Sequence, residues 1–191
     1  MIDYEAAEAA IAPRLSAEAL EHCRRVADTA TSLALIYGVD PTSAAVAGLL
    51  HDWDRERDLR ELMEAARDAG HDVTDADEER PYLLHAGTGA VGAAAALPGL
   101  SDEVVSAIER HTMGAVDMSE LDMIVWIADM LEPARSFDGV DALREVVGTV
   151  SLRDLFAACY ARSVLHLVQS RKLIHPLTVE VWNEYCARSR S

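Results

Sequence analysis

The chain has 191 residues, 50% apolar and only 5% aromatic, which is long enough to bury a sizeable core and rich in alanine and other helix formers. Its 17 basic against 33 acidic residues leave a net charge of −16, which repels nucleic acid and anionic membranes over the surface as a whole. Cys23, Cys159 and Cys186 are far apart and form no CxxC, and no apolar run or basic leader marks a membrane or export segment. A disulfide framework and a zinc-thiolate site are thus not indicated, and the expectation is a cytoplasmic protein without a membrane anchor.

After an acidic lead-in, Ser16 caps a predicted helix that runs to Tyr37 and stops at Gly38. Its apolar stripe, Leu15, Ala19, His22, Val26, Ala30, Leu33 and Tyr37, carries His22 on the buried face. Asp40 and Pro41 open the next helix, which holds AAVAGLLHD and ends in His51 and Asp52. Neighbouring side chains diverge by about 100° on a helix, so a ligand shared by these two must sit in the wedge between them near the helix end. The charged exit WDRERD follows, then a short amphipathic helix from Leu59 to Ala69 stopped by Gly70. HDVTDADEER reads as a mobile loop with His71 solvated.

Pro81 opens a helix that carries His85 one turn later, with Gly87, Gly89 and Gly92 allowing close approach of another backbone. Ser101 starts a helix whose Val104, Ile108 and His111 share a face, and HTMG then turns the chain. Ser119 and Asp122 form a capping box before LDMIVWIADMLEP, where Asp129 joins Leu121, Val125 and Ala128 on one apolar stripe. A polar connection with Arg135, Asp138 and Gly139 leads to a short helix, Val140 to Val147. A long helix from Ser151 to Lys172 carries His166 beside its apolar face as a structural residue, and His175-Pro176 begins a last helix through Trp182 and Tyr185. ARSRS is expected to fray. The prediction is an all-α bundle in one domain over residues 1–191, its core spanning about 16–187.

A lone histidine on an apolar stripe is ordinarily a core residue, and a lone carboxylate at a helix end is ordinarily a cap. Six such groups, His22, His51, Asp52, His85, His111 and Asp129, come from five different helices. Bundles build metal sites in this way. Imidazole and carboxylate suit iron, manganese, zinc, cobalt or nickel. Six protein ligands exceed what one open catalytic metal takes, whereas two metals with one bridging carboxylate use all of them and leave positions for water and substrate.

The order H…HD…H…H…D, with AGLLHD, LLHAGTGA, AIERHTMG and MSELDMIVWIADMLEPAR, resembles the HD-domain superfamily of metal-dependent phosphohydrolases and within it the YqeK family. The resemblance runs from about Ser16 to Tyr185. It implies an all-α HD-domain bundle with two metal ions, iron first and manganese or another divalent metal as alternatives. It also implies symmetrical hydrolysis of dinucleoside tetraphosphates, diadenosine tetraphosphate giving two ADP. By carry-over the metal ligands are the same six residues. The chain departs from the family's usual pattern at Arg55, where a lysine is usual and Asp54 stands beside as a competing carboxylate, and at Gly87, where proline is more frequent.

The expected mechanism is attack by a metal-bound hydroxide beside Asp52. Arg55 and Arg135 neutralise phosphate charge, and Thr112 and Gly114 offer backbone donors to the substrate. The plain alternative for each arginine is a surface ion pair. Other readings are a one-metal nucleotidase using His22, His51, Asp52 and Asp129 on nucleoside monophosphates with His85 and His111 contacting substrate, an alarmone hydrolase, and a nucleotide-binding protein without turnover. The expected partner is a small nucleotide; neither nucleic acid nor a membrane is expected, and a homodimer is left open.

Overall fold

The computed structural model describes residues 2–187, and the expected frayed tail lies beyond them apart from Ala187. In chain order the helices are α1 (Tyr4–Ile11), α2 (Ala17–Tyr37), α3 (Pro41–Leu50), α4 (Leu59–Asp68), α5 (Asp75–Glu79) and α6 (His85–Ala96). They continue with α7 (Asp102–Arg110), α8 (Glu120–Leu131), α9 (Val140–Glu145), α10 (Leu152–Gln169) and α11 (Pro176–Tyr185), and 3-10 turns cover Ala12–Arg14 and Pro81–Leu84. No strand occurs among the described residues, as the composition predicts. Ser16, Asp40, Ser101, Ser119 and Ser151 cap their helices through the side chain, and Ser119 with Asp122 completes the expected capping box.

Helix α3 organises the packing. Ala44, Val46, Ala47, Gly48, Leu49 and Leu50 are all buried, so this short helix presents almost no polar face, and α1, α2, α7 and α8 surround it. Gly48 is what lets α2 come close: a Cβ added there would stand 3.0 Å from the Ala27 Cα and 3.2 Å from the Ala30 Cβ. An exposed helical glycine gains about 1 kcal/mol on conversion to alanine. Gly48→Ala is expected to reverse that sign and cost about 1–3 kcal/mol, because the obstructing atom is backbone; denaturant unfolding checks it.

On its other side the segment that follows α3 packs on α6, where a Cβ at Gly92 would lie 2.8 Å from the Trp53 Nε1 and one at Gly89 3.4 Å from the Asp54 N. Small residues on α2, α3 and α6 therefore bring the His51-Asp52 pair within reach of side chains from both neighbours.

Three local expectations are corrected. The acidic lead-in is helix α1, capped by Asp3, with Ala7 and Ile11 in the core against α3. The segment 71–80 is not a plain loop: Thr74 and Asp77 form a capping box around α5, and the buried Asp77 carboxylate lies 3.4 Å from the His175 Nε2. His71 is partly buried, with its ring against α6 at Gly87, where an added Cβ would be 3.1 Å from the Nε2.

Candidate metal centre

The histidines are aimed by their helix ends. The last carbonyls of a helix have no intrahelical partner, and a side chain just past the end can use them. His51, immediately after α3, donates its Nδ1–H to the Gly48 carbonyl at 2.7 Å; His111, immediately after α7, donates to the Ile108 carbonyl at 2.7 Å. His85, at the end of the 3-10 turn, pairs its Nδ1 with the Tyr82 carbonyl. A carbonyl only accepts, so each Nδ1 carries the proton and each Nε2 is left with its lone pair facing inward. His22 lies within α2, where carbonyls are already engaged. Its Nδ1 instead meets the Glu132 carboxylate at 3.2 Å, which fixes the same tautomer.

Asp52 joins these groups. Its Oδ1 lies 2.9 Å from the His85 Nε2 and 3.7 Å from the His111 Nε2, while its Oδ2 lies 3.4 Å from the His51 Nε2 and 3.7 Å from the His22 Nε2. Asp129 reaches the His22 Nε2 at 3.0 Å and the His51 Nε2 at 3.9 Å. His22, His51 and Asp129, and likewise His51, Asp52 and His111, offer ligand atoms within 4.8 Å of one another. The six sequence-predicted residues thus converge on one centre, strung from His85 at one end to Asp129 at the other.

The donor atoms fit a cation. The His51 Nε2 is buried with no hydrogen-bond partner, an arrangement that ordinarily costs about 1–3 kcal/mol. The Nε2 atoms of His85 and His111 face each other at 3.1 Å, two lone pairs that need a positive charge between or beside them. In the metal-free protein a proton supplies part of it: burial pulls the His51 imidazole down, but Asp52 and Asp129 outweigh this and raise it to about 9. Burial holds His111 below its usual range. Asp52 stays well below the ordinary carboxylate range, since His51, His111 and His85 outweigh its burial. Asp129 is also depressed, by His22, His51 and Arg135 against its burial. A set of imidazole and carboxylate donors without thiolate suits a divalent transition metal.

The centre forms the floor of a cavity of about 840 Å³ walled by α2, the post-α3 turn, Tyr82, Thr112, Trp126, the α8–α9 connection and α10. Arg55 is exposed on this wall, with its guanidinium 5.4 Å from the Tyr82 ring centre. The expected competition from Asp54 does not arise, because that buried carboxylate binds Arg14 at 2.8 Å and Arg57 at 3.2 Å. Arg135 also lines the cavity and binds Asp129 through both its carboxylate and its carbonyl.

Thr112 lines the cavity too, with its Oγ1 3.3 Å from the His111 Nε2. The turn that carries it is pinned by Trp126, which donates to the Thr112 carbonyl, and by Tyr160, which donates to the Met113 carbonyl. Gly114 stands apart: its N–H is taken by the Arg110 carbonyl, and a Cβ there would face Met118 and Val181 in the core. It is no substrate donor. His166, expected to be structural, is exposed and lines the cavity mouth.

Sequence reasoning missed Glu132. It is 2% exposed and holds His22, Arg25 at 2.7 Å and the Ala134 N–H at 2.8 Å. The signal was its spacing, three residues after Asp129, which sets it at the C-terminal end of α8 within reach of the same side of the helix.

The HD domain family model matches residues 19–134, which contain all six converging residues. A "Bis(5'-nucleosyl)-tetraphosphatase, symmetrical" of Halalkalibacterium halodurans is 32% identical over 177 residues, 91% of this chain and 92% of the relative. Its Staphylococcus aureus counterpart of the same description is 32% identical over 190 residues, 96% of this chain and 95% of the relative. The crystal structure of a predicted HD superfamily hydrolase involved in NAD metabolism from Clostridium acetobutylicum superimposes with a TM-score of 0.90 at 31% identity, covering 99% of this chain and 100% of that one. No helix is long and apolar enough to cross a membrane among the described residues. On the matched fold, the converging residues and the full-length relatives together, the chain belongs to the HD-domain superfamily and, within it, to the YqeK-like family of symmetrical bis(5'-nucleosyl)-tetraphosphatases.

Proposed function

We propose that the protein hydrolyses dinucleoside tetraphosphates symmetrically, diadenosine tetraphosphate and water giving two ADP, at a centre of two divalent metal ions. The observation that carries the two-ion reading is the division of Asp52: one oxygen faces His22 and His51, the other His85 and His111. In this reading His22, His51 and Asp129 would hold one ion and His85 and His111 the other, with Asp52 available to both. A one-metal nucleotidase leaves that second carboxylate oxygen and its two lone-pair-facing imidazoles without a cation. The family resemblance favours iron as the native metal, and the imidazole and carboxylate donors are compatible with it and equally with manganese or another divalent ion. When bound, such ions supply an activated water and positive charge for the nonbridging phosphate oxygens.

The chain's own residues do the rest. Glu132 and the three helix-end carbonyls hold the imidazole protons on Nδ1, so every Nε2 stays directed inward. Arg55, without a carboxylate partner among the described residues, meets the outer phosphates; Arg135 keeps one hold on Asp129 and adds charge beside the reacting phosphorus. Thr112 adds a hydroxyl at the edge of His111. The cavity falls within the ~300–1,000 Å³ typical of ligand sites, and Arg25, Arg55, Arg135 and Arg162 on its wall stand against the carboxylates of Glu18, Asp52, Glu56, Asp129 and Glu132, so bound metal ions would supply the excess positive charge a polyphosphate needs. Three free cysteines support a reducing, cytoplasmic setting.

The test is product analysis of metal-loaded protein with diadenosine tetraphosphate. ADP is expected as the sole nucleotide product. AMP with ATP would overturn the symmetrical cut, and turnover of nucleoside monophosphates alone would replace this reading with the one-metal nucleotidase.

A further inference from the structure

The cavity wall carries four guanidinium groups in two different situations. Arg25 and Arg135 are spoken for by Glu132 and Asp129. Arg55 and Arg162 make no ion pair with any carboxylate among the described residues, in a chain with 33 acidic residues to choose from. Each instead lies by an aromatic ring: Arg55 is 5.4 Å from the Tyr82 ring centre and Arg162 5.7 Å from that of Phe137. Arg162 is steadied by a 2.8 Å bond from its Nε to the Asp138 carbonyl. That bond leaves both terminal nitrogens of the guanidinium to donate elsewhere.

The chain links the two pairs to opposite ends of the ligand line, one through a direct contact and the other through a near neighbour in sequence. Tyr82 supplies the carbonyl that holds His85, the first imidazole of the line. Phe137 follows two residues after Arg135, which holds Asp129, the last carboxylate. Between them the contacts run His85 to Asp52 at 2.9 Å, Asp52 to His51 at 3.4 Å, and then His22 to Asp129 at 3.0 Å. Guanidinium and ring together offer the two things a nucleotide end needs, a donor fork for phosphate and a flat surface for the base.

Resting on the hydrolase reading above, we propose that Arg162 with Phe137 forms a second nucleotide station, paired across the metal centre with Arg55 and Tyr82. Each station receives one nucleoside diphosphate half of the substrate. Two stations flanking one centre explain why the cut is symmetrical: with both ends held, the central P–O–P bridge is the one over the ligands. Water adds across it, one P–O bond breaks, and two equal nucleoside diphosphates leave. A site that recognised one end alone would leave the other half unplaced.

The experiment is calorimetric titration of the metal-loaded protein with ADP, run beside the diadenosine tetraphosphate assay on the same preparation. Wild type is expected to bind two ADP per chain, and the double variant Arg162→Ala with Phe137→Ala one. Arg55→Ala with Tyr82→Ala is likewise expected to keep one. A milder pair, Arg162→Lys with Phe137→Leu, conserves cation and apolar bulk; it is expected to weaken one site on the order of tenfold and leave the other unchanged.

One ADP per chain in wild type overturns the two-station site, as does retention of two unweakened sites in the Arg162 and Phe137 variants. Loss of both sites in the milder pair at unchanged metal content overturns it as well, because the stations would not be separate. Two bound ADP without cleavage of diadenosine tetraphosphate would sink the reaction and keep the stations, whereas ADP production with a single ADP site would do the reverse.

Discussion

His51→Ala is expected to lower metal content below one ion per chain under conditions that fill the wild-type centre, and to reduce hydrolysis by ~10³-fold or more. This exceeds the 10–100-fold typical of residues that only orient a ligand. The reason is position. His51 stands between the two groups, sharing one 4.8 Å cluster with His22 and Asp129 and another with Asp52 and His111. Its Nε2 has nothing else to bond.

The same residue sets the pH dependence of metal uptake. His51 titrates near 9 in the metal-free protein, so at neutral pH a metal must displace its proton. Metal affinity is expected to rise about tenfold per pH unit between pH 7 and 9 and to level off above, as read by chelator competition. His111, already held low, adds no slope in that window. Stability of the metal-free protein runs the other way. A group whose value is raised on folding stabilises fully below its unfolded value and loses that contribution as pH rises, so this term fades between about pH 6.5 and 9. A metal affinity that did not change with pH would overturn either the raised His51 value or its place among the ligands.

Much of this centre was legible because helix ends leave marks in sequence. Apolar stripes that stop at a histidine placed His51 and His111, and stripe interruptions placed His22 and Asp129, since a polar residue in a buried face needs a partner. The helical class followed from composition and from side-chain caps at Ser16, Asp40, Ser101, Ser119 and Ser151. What the pattern left out was tertiary. Asp54 looked free to compete for Arg55 until Arg14, forty residues earlier, closed on it. Gly114 looked like an open donor in a turn, but its N–H completes the end of α7. His166 sits beside an apolar stripe by spacing alone and faces the cavity because the α8–α9 connection and α10 form that wall. The short capped helix within 71–80 was hidden by its charge, since solvated acidic residues mask the one buried carboxylate, Asp77.

Glu132→Ala is expected to weaken metal binding by about 10–100-fold while the protein stays folded. The carboxylate is buried, and burial alone would raise its pKa; Arg25 and the Ala134 N–H outweigh that and keep it charged. One oxygen thus holds the His22 Nδ1 and the other is occupied by Arg25 and the backbone. Of the four imidazoles only His22 depends on another side chain for its orientation, so removal frees that ring to rotate its Nε2 away from Asp129. Two further variants separate this role from simple bracing. Arg25→Ala removes the arginine tie and leaves the His22 contact, and is expected to hold metal close to wild type. Glu132→Gln retains an oxygen that can accept from His22 and leaves Arg25 facing an amide. It is expected to keep more of the metal affinity than alanine while still lowering thermal stability. The nitrogen chemical shifts of His22 give an independent reading, with the proton fixed on Nδ1 in wild type and in Glu132→Gln and tautomers mixed in Glu132→Ala. Equal loss of metal in Arg25→Ala and Glu132→Ala would show that Glu132 acts as a brace between α2 and α8 and does not position His22.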